Sequence, residues 1–186
     1  MDVSELRKNA KVELDGHPFV VTEFQFVKPG KGQGLYKCKL KNMITGAVLD
    51  RTWRSGETLK AANVESKRMQ YLFASADGFT FMDNESYEQV ELLADLVGDD
   101  KYYLLDQLEV DVLFYNERPV GVSLPSHVVM DIVECEPGVK GDTATNTTKG
   151  ATTQTGLTVQ VPLFIKQGER VKVDTRTGAY VERVNT

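Results

Sequence analysis

The sequence predicts an all-β chain built from three small barrels, and three observations carry that prediction. Apolar and polar residues alternate with period two along most of the chain, as in strands that bury one face. Gly, Asp and Asn recur at intervals that cut these runs into short segments. Only one stretch, roughly residues 88–97, has helical spacing, with Val90, Leu93, Ala94 and Val97 on one face and Gly98 as its stop.

The elements follow in order. Asp15-Gly16, between Val12-Glu13-Leu14 and His17-Pro18-Phe19, has the form of a two-residue hairpin. Val20, Thr22, Phe24 and Phe26 alternate with Val21, Glu23 and Gln25. Tyr36, Cys38 and Leu40 then alternate with Lys37, Lys39 and Lys41. A Thr45-Gly46 turn leads into a strand at 48–54, whose Trp53 is expected in the core. Further on, Leu108, Val110, Val112 and Phe114 mark a strand. It is followed by a turn at Asn116-Glu117-Arg118 and by Val120, Val122 and Leu124. The last third repeats the style at 128–135, 157–165, 170–174 and 179–184. Between Gly141 and Gly156 a Thr-rich stretch reads as a long mobile loop.

These runs divide the chain into units at 1–64, 65–127 and 128–186. A unit of this size buries only about 60% of its unfolded surface, which is marginal for independent folding. Neighbours are therefore expected to dock, the first two above all. The connection at 63–67 contains no Gly or Pro and does not read as a loose tether.

Charge sharpens the division. The 186 residues carry 22 Lys plus Arg against 27 Asp plus Glu, a net of −5, which at face value argues against nucleic acid. The distribution says otherwise. The first unit holds 11 basic and 7 acidic residues, a net of +4; the second holds 4 and 13, a net of −9; the third is balanced at 7 and 7. Such asymmetry points to one part meeting a polyanion while another avoids it or faces cations. No apolar run reaches the ~20 residues of a membrane helix. The N-terminus has no secretory pattern, and Cys38 and Cys135 stand far apart without a CxxC motif. A cytoplasmic, reduced setting is the expectation, with inert core thiols. Two Cys and two His make a zinc site hard to build, so no metal or cofactor is expected.

The most unusual local feature is Lys28-Pro29-Gly30-Lys31-Gly32-Gln33-Gly34, which caps a hairpin. Pro29-Gly30 suits a type II turn. With glycine on both sides, Lys31 has no neighbour to bury or pair its ammonium, as an activated catalytic lysine requires. The loop supplies reach and access instead. It is not a phosphate loop, because no helix follows and no Gly-Lys-Ser/Thr occurs. Taken alone, the heptapeptide fits a solvated hairpin tip better than a binding loop.

Below the tip, Lys37, Lys39 and Lys41 recur on one strand face, with Arg51 and Arg54 around Trp53. Such a strip fits contact with an RNA backbone, and equally a solubilising face on an edge strand. His17 and His127 have no implied nucleophile or acid partner, and the Asp83, Glu85, Glu88 and Glu91 cluster lacks a calcium-loop pattern. With no nucleophile and base in sight, the chain does not read as an enzyme.

At family level the residues resemble bacterial elongation factor P. The tip at 27–33 resembles that family's first-domain loop. Phe81-Met82-Asp83-Asn84-Glu85-Ser86-Tyr87-Glu88-Gln89 resembles its central segment, and residues 137–143 resemble the entry to its third domain. Lys149, Ala151, Gly156, Val159, Val161, Pro162, Ile165 and Gly168 fall at the spacing of the family signature, and residues 171–178 follow as in the family. The resemblance implies a KOW-type translation-protein barrel followed by two OB-fold domains, in an L-shaped, tRNA-like arrangement. It implies a monomeric factor that binds the ribosome beside the peptidyl-site tRNA and relieves stalling at consecutive prolines. It also implies that Lys31 approaches the peptidyl-transferase centre and, in many members, is extended by a lysine-modifying enzyme. The tip residue is Lys, which excludes rhamnosylation, a modification of Arg. The alternative left by the residues alone is a non-ribosomal RNA-binding β-barrel protein.

Overall fold

The computed structural model of the chain describes residues 1–138 and 147–185. After a 3₁₀ turn at Val3–Glu5 come β1 (Lys11–Leu14), β2 (His17–Val27), β3 (Leu35–Asn42), β4 (Val48–Arg54) and β5 (Lys60–Ala61). They form a sheet in the order β4-β3-β2-β1-β5. A second sheet contains β6 (Val64–Ala74), β7 (Gly78–Met82), β8 (Gln89–Leu93), β9 (Glu109–Tyr115) and β10 (Arg118–Ser123), ordered β10-β9-β6-β7-β8. The third contains β11 (His127–Cys135), β12 (Thr148–Thr153), β13 (Thr158–Pro162), β14 (Arg170–Asp174) and β15 (Tyr180–Val184), ordered β13-β12-β11-β14-β15. Counted within their own units, the second and third sheets share one strand order, 3-2-1-4-5, whereas the first runs 4-3-2-1-5. The second and third units are thus one topology used twice.

Three sequence expectations need correction. Residues 88–97 are not a helix: β8 occupies the first half and pairs with β7, leaving a single helical turn, α1 (Ala94–Val97). Leu92 and Val97 face the core while Leu93 is 51% exposed. Sheet pairing has overridden a spacing that fits helix and strand equally. Gly98 does stop the turn, at φ +56. In β2 the register slips between Val21 and Glu23, so Thr22 is an extra, bulged residue. Phe19 and Val21 face inward before it and Phe24 after it, so Val20 and Thr22 do not share the face of Phe24 and Phe26. Finally, the Thr-rich stretch is not all loop. Residues 139–146 lie outside the described residues, but Thr148–Thr153 is β12, with Lys149, Ala151 and Thr153 buried.

Each sheet curls over its own core. In the first unit Val12, Phe19, Val21, Cys38, Leu40 and Trp53 pack with Val3 and Leu6 of the N-terminal turn. In the second the core is Met69, Tyr71, Phe81, Leu92, Val110 and Val112. The second and third cores are continuous. Leu108 and Leu124 pack against both, and Tyr103 belongs to the third core while its neighbour Leu104 belongs to the second. The first core shares no residue with either.

The β7–β8 turn is organised by Asp83, which accepts a hydrogen bond from the Glu85 N–H at 2.8 Å and pairs with Lys67 on β6. The Lys67 ammonium, and then the Glu85 N–H, hold its carboxyl at about 2, below the ordinary 3.8. Folding thus disfavours the protonated form, so the stabilisation is complete above 3.8 and fades as pH falls through 3.8 towards about 2. Asp83→Asn is expected to lower Tm at neutral pH. Its deficit against the parent should shrink between about pH 4 and pH 2 in calorimetry, and a deficit independent of pH would contradict the assignment.

Candidate functional site

The tip loop is carried by the longest hairpin of the first unit. Phe26 pairs with Tyr36 across β2 and β3, and Tyr36 pairs in turn with Trp53 on β4. The Phe26 and Tyr36 rings lie 4.8 Å apart and Phe24 stands 6.1 Å from Tyr36. This aromatic row stiffens the end of the hairpin, although Phe26 is 47% exposed.

Gly34, the last loop residue, is the fixed point. A Cβ there would lie 2.5 Å from Phe26 Cε2 and 2.7 Å from Ser55 Oγ. Its carbonyl accepts hydrogen bonds from the Ser55 N–H at 2.9 Å and the Ser55 hydroxyl at 3.2 Å. The loop is therefore seated on the end of β4 by a residue whose added Cβ would have to displace the Phe26 ring and the Ser55 hydroxyl. Neither Phe26 nor Ser55 carries a sequence signal for this role, since their meeting depends on the β2–β3–β4 register.

Beyond the seat the loop is open. The Gly32 N–H bonds to the Pro29 carbonyl at 3.0 Å, closing a turn with Gly30 and Lys31 at its centre. Neither glycine takes a positive φ, so the expected type II turn over Pro29-Gly30 does not form; the chain turns one residue later, where no left-handed residue is required. A Cβ at Gly30 would meet nothing within 4 Å. Lys28, Lys31 and Gln33 are all exposed.

The lysines of the basic strip have different partners. Lys37, Lys39 and Lys41 do share the outer face of β3, but β3 lies between β2 and β4 and is not an edge strand. Lys39 faces Glu23 on one side and Asp50 on the other, and its ammonium pairs with Glu23 at 3.4 Å. Lys41 donates to the Asp95 carbonyl of the second unit at 2.8 Å. Arg54 lies beside Leu35 on the face of Lys37, whereas Arg51 is paired with Cys38 and falls on the opposite face. Lys28, Lys31, Lys37 and Arg54 thus gather at the distal end, away from the acidic second unit. His17 opens β2 at the end remote from the tip, and His127 faces Asp174 at 3.9 Å. Cys38 is buried, which pushes its thiol pKa up.

Comparison with known proteins then decides the family. Residues 2–59 match the model of the elongation factor P KOW-like domain, 64–122 that of the elongation factor P OB domain, and 128–183 that of the elongation factor P C-terminal region. The chain is 51% identical to elongation factor P of Syntrophus aciditrophicus, with 97% of each chain covered. The chain belongs to the elongation factor P family. Elongation factor P of Desulforapulum autotrophicum is 52% identical over 99% of this chain and 98% of its own. Elongation factor P 2 of Geobacter sulfurreducens is 50% identical over 98% and 97%. Membership makes the chain a translation elongation factor, and the KOW-like and OB assignments match the two strand orders found here.

For a member of this family two of the three loop glycines, Gly30 and Gly34, give a direct check on the seat. Gly30→Ala should change stability by less than about 0.5 kcal/mol. Gly34→Ala should cost about 1–3 kcal/mol, because the Phe26 ring or β4 must move. Urea unfolding of both variants reads the difference, and equal effects would remove the seat from the account.

Proposed function

We propose that the chain binds the ribosome in the cytoplasm beside the peptidyl-site tRNA. There it stimulates peptide-bond formation at consecutive prolines through Lys31. The observation that carries this reading is an exposed lysine at the centre of an open turn, on a hairpin whose base is fixed. Proline has a ring on its nitrogen and a locked φ, so its alignment for bond formation is poor. A factor that holds peptidyl-tRNA in a productive geometry lowers the entropic cost of alignment and needs no general base. Each ~1.4 kcal/mol of such help is about tenfold in rate.

The distal cations support the placement. Lys28, Lys37 and Arg54 offer sequence-independent contacts to phosphates just below the tip. Open space around Gly30 also gives a lysine-modifying enzyme access to Lys31. Among the described residues no helix is long and apolar enough to cross a membrane.

Lys31→Ala is expected to lower the rate of proline–proline bond formation by on the order of tenfold or more in reconstituted translation. Ribosome affinity and Tm should stay close to the parent's. An unchanged rate would remove Lys31 from the function. Intact-mass measurement of protein from its native host, with mapping of any added mass to Lys31, tests the modification separately.

A further inference from the structure

The first unit meets the second at several points, and two of the contacts come from a single turn. Residues 42–47 connect β3 to β4. Asn42 is buried, and its side-chain oxygen accepts from the N–H groups of Ile44 at 2.8 Å and Thr45 at 3.1 Å. The Gly46 N–H returns to the Asn42 carbonyl at 2.9 Å. The turn is therefore preformed by its own hydrogen bonds.

Its side chains point away from the first core. Met43 is only 4% exposed yet belongs to none of the three cores. Its Cε lies 3.9 Å from where a Cβ would stand on Gly121 of β10, beside Leu113. Gly46 abuts Asp95, whose Cβ would be 3.7 Å from a Cβ at that glycine. The Lys41 ammonium donates to the Asp95 carbonyl at 2.8 Å. Farther along the joint, the Tyr115 hydroxyl reaches Glu13 at 3.4 Å. A cleft of about 510 Å³ opens beside these contacts, lined by residues of all three units including Lys11, Lys41, Asp100, Val120 and Arg176. The joint is thus partly hollow, whereas the second and third cores are continuous.

We propose that Lys41 and Met43 are positioning residues for Lys31: by clamping the first unit to Asp95 and Gly121 they fix where the tip stands. The proposal rests on the reading of Lys31 given above. Lys41 therefore acts through protein and not by touching RNA, although it lies on the lysine strip. The lever arm explains why the joint matters. Eight residues of β3 span about 26 Å at ~3.3 Å per residue, and the tip loop extends the arm to roughly 30 Å. A rotation of about 2° at the joint then displaces the tip by about 1 Å, and misplacement on that scale is enough to cost up to about a hundredfold in an aligned reaction.

The test uses the full chain with spin labels at Thr52→Cys and Gln160→Cys in a Cys135→Ser background. Lys41→Met removes the clamp, and Gly121→Val fills the seat of Met43. Both variants should broaden the distance distribution between the labels. Both should slow proline–proline bond formation severalfold or more at saturating factor, with ribosome affinity changed less than about threefold. If Lys41 instead contacts RNA, Lys41→Met will weaken binding in a salt-dependent way and leave the distances unchanged, which overturns the proposal. Lys31→Ala run in parallel separates the two levels. Full activity of Lys31→Ala defeats the reading of the tip; loss of activity there, with unaltered distances and rates in both joint variants, defeats the joint.

Discussion

The contact of Gly34 with Phe26 and Ser55 is the constraint on which the tip depends. A loop of small and flexible residues has no intrinsic direction, and Lys31 would sample a wide volume if both ends of the loop were free. Here one end is closed by the register of β2, β3 and β4, which brings an aromatic ring and a hydroxyl onto a residue without a side chain. The bulge at Thr22 belongs to the same device. By shifting the register it places Phe24 and Phe26 on the inner face beside Tyr36, so that the hairpin keeps an apolar row almost to its end.

The rest of the molecule holds this hairpin in place. Fusion of the second and third cores makes them a single body, and the preformed turn at 42–47 docks the first unit on it. Charge follows the same division. Acidic residues concentrate in the second unit, and on β2 and β4 Glu23 and Asp50 neutralise the middle of the lysine strip. Lys37 and Arg54, nearer the tip, have no ion pair among the described residues. A net charge of −5 is therefore compatible with a nucleic-acid-facing end, because the basic part is small and spatially separated from the acidic part.

Much of this was legible in the sequence where period two runs without interruption. Tyr36 to Lys41 and the strand through Val110 and Val112 alternate cleanly, and the Asp15-Gly16 turn has positive φ at both residues as its composition demands. Strands β6, β7 and β12 were not legible. In β6 a register shift after Tyr71 breaks the alternation, and in β12 the buried positions are Lys149, Ala151 and Thr153, two of them polar where apolar residues usually mark a core face. The stretch at 88–97 satisfied two periods at once, and only pairing with β7 decided between them. At the site, Lys31 and its glycines stood out by composition. The protein partners of Lys39 and Lys41 did not, because Glu23, Asp50 and Asp95 become their neighbours only through cross-strand register and docking between units.

The central claim is that the seated tip delivers residue 31 to the reacting end of peptidyl-tRNA. Position 30 has open space around it, so a photoreactive side chain introduced there should leave the hairpin intact. Crosslinking on ribosomes stalled at consecutive proline codons is the most direct measurement. The account requires the dominant product to join the chain to the 3′ end of the peptidyl-site tRNA or the adjacent peptidyl-transferase rRNA. Efficient crosslinking only to components remote from that centre would contradict it.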